Sequence, residues 1–269
     1  MQDITIKAEH FPNLHYRKTG SGPAVVLIHG FPEDGSLWEH IYPALAGLYT
    51  VLVPDIPGSG ESLLGDENVT IEELAGSIEA ILAHENISEA VIVGHSMGGY
   101  ITLAFAEKRR AWLRGISLVH STATADTEEK KKTRKKAIEL IRKGGKEPFV
   151  KGMVPNLFSD TFKELHPDII EKQVERGMKL ADSTMIAFYN AMINRPDRTS
   201  ILKDTSIPVQ WIIGKEDTVV PVNIALQQAR MAKVNFLSLY SYCGHMSMLE
   251  QPEKLASDLK DFISYCFYR

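Results

Sequence analysis

The 269-residue sequence predicts an α/β fold: an open, mostly parallel sheet wrapped by helices and broken by one helical insertion. Three observations carry this expectation. Short β-branched runs alternate with helical patterns along most of the chain. The internal runs are nearly continuous in apolar residues, as suits strands buried on both faces of a parallel sheet. Between Ser121 and Pro208 the alternation stops, and everything there reads as helix or loop.

In order, "ITIKA" and "LHYRKTG" alternate in polarity and close on a glycine, which predicts two antiparallel strands. The runs "AVVLIHG", "TVLVPDIPG", "EAVIVGHS", "GISLVHS" and "PVQWIIGKED" predict the buried strands. Helical patterns separate them: "SLWEHIYPALAG", "TIEELAGSIEAILAHEN", "YITLAFAEKRR" and, later, "NIALQQARMA". In the second, Ile71, Leu74, Ile78, Ile81 and Leu82 share a face, and Thr70-Ile71-Glu72-Glu73 supplies a capping box. A last helix starts at Pro252. Within the insertion, "TEEKKKTRKKAIELIRKGG", "SDTFKELHPDIIEKQVERGMKLA" and "STMIAFYNAMINRPD" predict helices, because a structureless loop of that length is improbable inside a domain. The expected organisation is a core of residues 1–120 and 201–269, with a helical subdomain of 121–200 inserted in it.

Composition excludes several function classes. Hydrophobic residues are 44% and charged residues 24%, so a full core can form. A net charge of −4 gives no reason to expect a nucleic-acid partner. The basic run Lys130–Lys136 follows Glu128 and Glu129 at helical spacing and reads as a solvated helix face. The opening "MQDITIKAEHF" lacks a basic and then apolar leader, and no apolar run reaches the roughly 18 residues of a membrane span. Cys243 and Cys266 make neither a metal-spaced set nor a disulfide framework. Two buried thiols in the cytoplasm are the expectation, with no membrane partner, no metal, no organic cofactor and no specified oligomeric state.

The chemistry gathers around "VGHSMGGY". Its G-x-S-x-G pattern leaves a strand and opens a helix, the sequence form of a nucleophile elbow, which makes Ser96 the candidate nucleophile. A serine hydroxyl needs a base. Among nine histidines, His245 in "YCGHMSMLEQP" lies on a loop at the carboxyl edge of the last strand, where such sheets bind ligands. His95 adjoins Ser96 and reads as packed, His29 in "IHGFP" as structural or part of the oxyanion loop, and His120 as near the site without a clear task. The acid should precede His245, and Asp217 in "IIGKEDTVVP" fits, with Glu216 and Asp126 as rivals. Two backbone N–H groups, of Phe31 in "HGFPED" and of Met97, are the candidate oxyanion hole.

The stretches "HGFPEDGSLW", "VPDIPGSGES", "VGHSMGGY", "GKEDTVVP" and "CGHMSMLEQP" together resemble the α/β-hydrolase fold family, of the soluble capped kind, over nearly the whole chain. The resemblance implies a mostly parallel eight-stranded sheet with helices on both faces, an inserted helical cap, and a Ser-His-Asp triad. "HGFPE" also resembles epoxide hydrolases and haloalkane dehalogenases, but those attack with a carboxylate where this chain has Ser96. That departure argues against both. The triad suits an acyl carbon, so the expected substrate is a small carboxylic ester or related acyl compound. Alternatives are a carbon–carbon hydrolase or menaquinone-type synthase with cap arginines such as Arg195 and Arg198, a cofactor-free perhydrolase, and a small-ligand receptor. Met153, Leu157, Phe158, Met185, Phe188, Tyr189 and Met192, with His29 below, are the candidate pocket lining, although an apolar helical stripe is more often packing.

Overall fold

The computed structural model describes residues 1–268. Eight strands, β1 (Gln2–Ala8), β2 (Phe11–Thr19), β3 (Ala24–Ile28), β4 (Thr50–Pro54), β5 (Ala90–His95), β6 (Leu113–Val119), β7 (Val209–Gly214) and β8 (Asn235–Tyr240), form one sheet. Their order across it is β1-β2-β4-β3-β5-β6-β7-β8. Only the β1–β2 and β2–β4 pairs are antiparallel; every pairing from β4 to β8 is parallel. The apolar pattern explains the placement. Every residue of β3, β5 and β7 is buried, whereas the edge strands β1 and β8 alternate with exposed positions.

Helix Ile71–His84 is capped as its sequence demands: Thr70 Oγ1 accepts the Glu73 N–H at 3.1 Å, and Glu73 Oε2 accepts the Thr70 N–H at 2.7 Å. Its stripe, including Leu74, Ile78 and Ile81, is buried against the sheet. "SLWEHIYPALAG" departs from the expectation of one helix. It forms a 3₁₀ turn, Gly35–Trp38, and a short helix, Tyr42–Leu45. Pro43 lacks an N–H and is tolerated only in a first turn, so a helix can begin there but cannot run through it.

Between β6 and β7 the chain forms helices Glu128–Arg142, Lys146–Met153, Asp160–Leu165, Pro167–Lys179, Asp182–Asn194 and Thr199–Asp204, with a 3₁₀ turn at Val154–Leu157, and no strand. The chain leaves at the carboxyl end of β6 and re-enters at the amino end of the parallel neighbour β7, and on the way Leu157 O accepts the N–H of His245 in the loop after β8. The insertion packs closely on the loop after β3: a Cβ on Gly177 would lie 3.1 Å from the Pro32 ring. Lys132, Lys135 and Lys136 of the basic run are solvent-exposed, but Arg134 turns inward to Asp126, with 2.7 Å between Nε and Oδ2. Both cysteines are buried. No helix among the described residues is long and apolar enough to cross a membrane.

Candidate functional site

Ser96 stands between the end of β5 and helix Met97–Arg109, in a backbone conformation of φ 51° and ψ −112°. A non-glycine residue held there costs on the order of 1–3 kcal/mol, so its surroundings must impose it. They do so through three bonds. The Ser96 N–H donates to Val119 O of β6 at 2.9 Å, and the Ser96 carbonyl accepts from the Gly99 N–H at 3.0 Å and from Ser121 Oγ at 2.8 Å. The glycines beside Ser96 have steric work: a Cβ on Gly98 would lie 2.5 Å from Ile28 O. The helix therefore starts in contact with the β3 backbone. As the first residue of that helix, Met97 contributes an N–H with no acceptor inside the helix.

The loop after β3 runs alongside. A Cβ on Gly30 would lie 3.0 Å from Ser96 Cβ and 2.8 Å from His95 Nδ1, so only glycine lets the backbone pass this close. Phe31 follows at once, joined to Pro32 by a cis peptide bond. His29 offers this site nothing to bind with. It is fully buried, its Nδ1 donates to Gly30 O at 2.8 Å, and its Nε2 accepts the Ile56 N–H at 3.0 Å. Its ring clamps the loop after β3 to the loop after β4, and burial above all lowers its pKa. The expected place in the pocket lining is thus corrected: both nitrogens are committed to backbone.

His245 and Asp217 come together from the loops after β8 and β7, with 2.8 Å between Nδ1 and Oδ2. The second carboxylate oxygen, Oδ1, accepts the N–H groups of Val219 at 2.8 Å and Val220 at 2.9 Å. Burial alone would raise the Asp217 pKa. The charge of His245 and the hydrogen bonds from His120 and His245 outweigh it and hold the carboxyl well below the ordinary carboxylate range. His95 is packed, as its place beside Ser96 implies; its Nε2–H donates to the His245 carbonyl at 2.9 Å and ties the loop after β8 to the turn at Ser96. Burial, then the charges of His245 and His120, push its pKa far down.

The rival acids lie elsewhere. Glu216 is exposed. Asp126 is held by Arg134 and by Arg195 Nη1, 2.9 Å from its Oδ1. Arg195 further donates to Met192 O at 2.7 Å and Thr124 O at 3.0 Å, and its guanidinium lies 3.9 Å over the Tyr100 ring. Arg198 is engaged by Glu72 and by Glu107, the latter at 3.0 Å. Neither arginine is left to grip a substrate carboxylate.

The insertion brings part of the expected lining to the site. The Phe188 and Tyr189 rings lie 6.5 and 4.8 Å from that of Phe31. The Leu157 carbonyl accepts the His245 N–H at 2.7 Å, and a Cβ on Gly244 would lie 2.8 Å from the Phe158 carbonyl carbon. Met185 and Met192 are buried in the core, and Met153 is half-buried against it. Glu250 went unread in the sequence, and His120 was read only as near the site without a task. Glu250 accepts the N–H groups of Gly244 at 3.0 Å and Met246 at 3.1 Å, and that of Ser159 in the insertion at 3.0 Å. His120 places Nδ1 3.3 Å from Asp217 Oδ2. Nothing local marks either residue, because both act through contacts between loops. Ligating atoms of His120, Asp217 and His245 lie within 4.8 Å of one another. The short His245–Asp217 contact nevertheless has the length of a proton-bridged pair.

The chain is similar to several known proteins. A thermophilic esterase from Thermogutta terrifontis superposes with a TM-score of 0.93 at 29% identity, over 99% of each chain. The pimeloyl-[acyl-carrier protein] methyl ester esterase of Vibrio atlanticus is 24% identical over 93% of this chain and 97% of its own. The 2-hydroxy-6-oxo-6-(2'-aminophenyl)hexa-2,4-dienoic acid hydrolase of Metapseudomonas resinovorans is 23% identical over 93% of this chain and 87% of its own. The sequence profile of the alpha/beta hydrolase family matches residues 25–258, and the chain belongs to that family.

Proposed function

We propose that the protein hydrolyses small carboxylic esters through a covalent acyl-enzyme on Ser96. The single observation that carries this reading is the 2.8 Å pairing of His245 Nδ1 with a buried, fully hydrogen-bonded Asp217, on loops tied to the strained turn that holds Ser96. In this mechanism His245 Nε2 takes the Ser96 proton as Oγ attacks the acyl carbon. Asp217 keeps the imidazole in the Nδ1–H tautomer and stabilises the imidazolium. The N–H groups of Phe31 and Met97 receive the developing oxyanion. The imidazolium returns its proton to the departing alcohol, and a water deprotonated by the same base opens the acyl-enzyme.

Residues 121–200 serve as a cap over a core of 1–120 and 201–269, with Leu157, Phe158, Phe188 and Tyr189 selecting the acyl or alcohol group. The esterases among its relatives support ester over carbon–carbon cleavage. So does the engagement of Arg195 and Arg198 by carboxylates of the protein itself. The test is turnover of p-nitrophenyl esters of graded acyl length by wild type and by Ser96→Ala. Saturable hydrolysis that vanishes in the variant supports the reading; equal rates in both overturn it.

A further inference from the structure

We propose that His120 is a positioning residue for the reaction proposed above: as the Nδ1–H tautomer it is a second imidazole donor to Asp217 Oδ2, and it sets how strongly that carboxylate serves His245. The inference rests on the triad reading but is argued from groups which that mechanism leaves idle. His120 follows the last residue of β6 and has a φ of 49°, a left-handed conformation that a bulky residue adopts only when its surroundings require it. Its own N–H is fixed to Ile212 O of β7 at 2.9 Å. The side chain is completely buried.

The carboxylate geometry decides the tautomer. Asp217 Oδ1 already takes the N–H groups of Val219 and Val220, and Oδ2 takes His245. The remaining acceptor position on Oδ2 faces His120 Nδ1 at 3.3 Å, a contact at the long edge of hydrogen-bond range. An ionised carboxylate has no proton to give, so the nitrogen facing it carries one. Neither ring nitrogen has a partner at full hydrogen-bond geometry among the described residues: Nδ1 approaches Oδ2 at 3.3 Å, and Nε2, the bare nitrogen of this tautomer, has nothing opposite it. The groups facing the ring are Asp217, His245 at 5.6 Å and His95 at 6.1 Å between centroids, with the charge of Glu250 also acting on it. Burial, the largest influence, lowers the His120 pKa against the pull of Asp217, which favours the neutral ring.

Two donors on one oxygen divide its basicity. His120 therefore holds the Asp217 carboxyl in orientation while moderating its pull on the His245 proton. A residue that only filled space would do neither.

The experiment compares wild type, His120→Phe and His120→Gln by kcat/KM against pH and by the downfield proton resonance of the His245–Asp217 bond. His120→Phe keeps the ring volume without the donor. It is expected to move the acidic limb upward by roughly half a pH unit, for the loss of about one hydrogen bond's worth of competition, and to lower kcat by about 3- to 30-fold. The downfield resonance should shift with it, and His120→Gln, which restores an N–H, should return part of both effects. A limb and resonance identical to wild type in His120→Phe, with only thermal stability reduced, would overturn the proposal. If that variant fails to fold, ring-nitrogen NMR of the wild type decides: a neutral His120 carrying its proton on Nδ1 supports the assignment, and an Nε2–H or doubly protonated ring overturns it. Turnover persisting in Ser96→Ala would sink the ester reading while leaving this tautomer measurement intact.

Discussion

On the sheet side of the site, groups are fixed by directed hydrogen bonds: Asp217 is held by the Val219 and Val220 amides, Ser96 by Val119 and Gly99, and the His245 loop by the Glu250 carboxylate. On the insertion side, Phe188 and Tyr189 meet Phe31 only through ring contacts, and Phe158 stacks on Phe162 within the insertion itself. Hydrogen bonds with fixed directions tolerate almost no displacement, whereas apolar packing accepts substitutions that keep its volume. Around Ser96, Asp217 and His245 directed hydrogen bonds dominate, one of them reaching in from Leu157 of the insertion, whereas around Phe31 apolar ring contacts dominate. Changes on the sheet side should alter rate, and changes on the insertion side should alter preference and stability.

The largest effect should come from Ser96→Ala, with turnover lost by on the order of a million-fold and an unchanged thermal melt. Residual activity within tenfold of wild type would remove Ser96 from the mechanism. Next, Asp217→Asn should cost on the order of ten-thousand-fold by leaving the imidazole in the wrong tautomer. Asp126→Asn, the matching change on the insertion side, should leave kcat within a few-fold. It should still destabilise by on the order of 3–5 kcal/mol, since Arg134 and Arg195 would keep buried charge without its counterion. Chemical denaturation and initial rates on the two proteins separate the cases, and an exchange of the two phenotypes would break the comparison.

Phe188→Ala should destabilise by about 3–5 kcal/mol, because the side chain is fully buried. In the fraction that remains folded, KM across an acyl-length series should change while the acidic limb of kcat/KM stays where it was. Movement of that limb would mean that the two sides are coupled through more than packing.

The smallest expected effect sharpens the comparison at the seam. Glu33, 2% exposed and without a hydrogen-bond partner for either side-chain oxygen among the described residues, lies in the loop after β3 itself. Burial raises its pKa from 4.5 to about 8, against the opposing charge of Arg176. The folded state binds this proton more tightly than the unfolded chain. Its contribution to stability is therefore complete below about pH 4.5 and declines as pH rises to about 8. Glu33→Gln cannot ionise, so it should flatten that decline and raise Tm at pH 8.5 by several degrees relative to wild type. Melting curves that fall in parallel for the two proteins would refute the assignment.

Much of this was legible before any coordinates. The elbow was readable because Gly94, Ser96 and Gly98 mark a strand-to-helix turn within five positions, and Asp217 and His245 because each follows a strand at the same edge of the sheet. His120, Glu250 and Glu33 were not readable in role, since each is defined by what stands opposite it in space. Arg195 and Arg198 show the same blindness from the other side: a charge can be counted along a chain, but its partner cannot. Met185 and Met192 lie on the stripe that suggested a pocket, and a helical period does not separate lining from core.

The insertion has a consequence for how the protein is made. β7 is the sheet neighbour of β6, yet residues 120–208 separate them in the chain. On a ribosome adding about 5–20 residues per second, the outer edge of β6 waits several seconds for its partner, bare to any other strand that drifts past. The turn around Ser96 can form in that interval, because its amide bonds to Val119 of the strand already made. Asp217 and His245 emerge only afterwards. A nascent chain at that stage carries Ser96 without either partner of the triad proposed above, and on that proposal hydrolysis reports that synthesis has passed β8 and the sheet has closed.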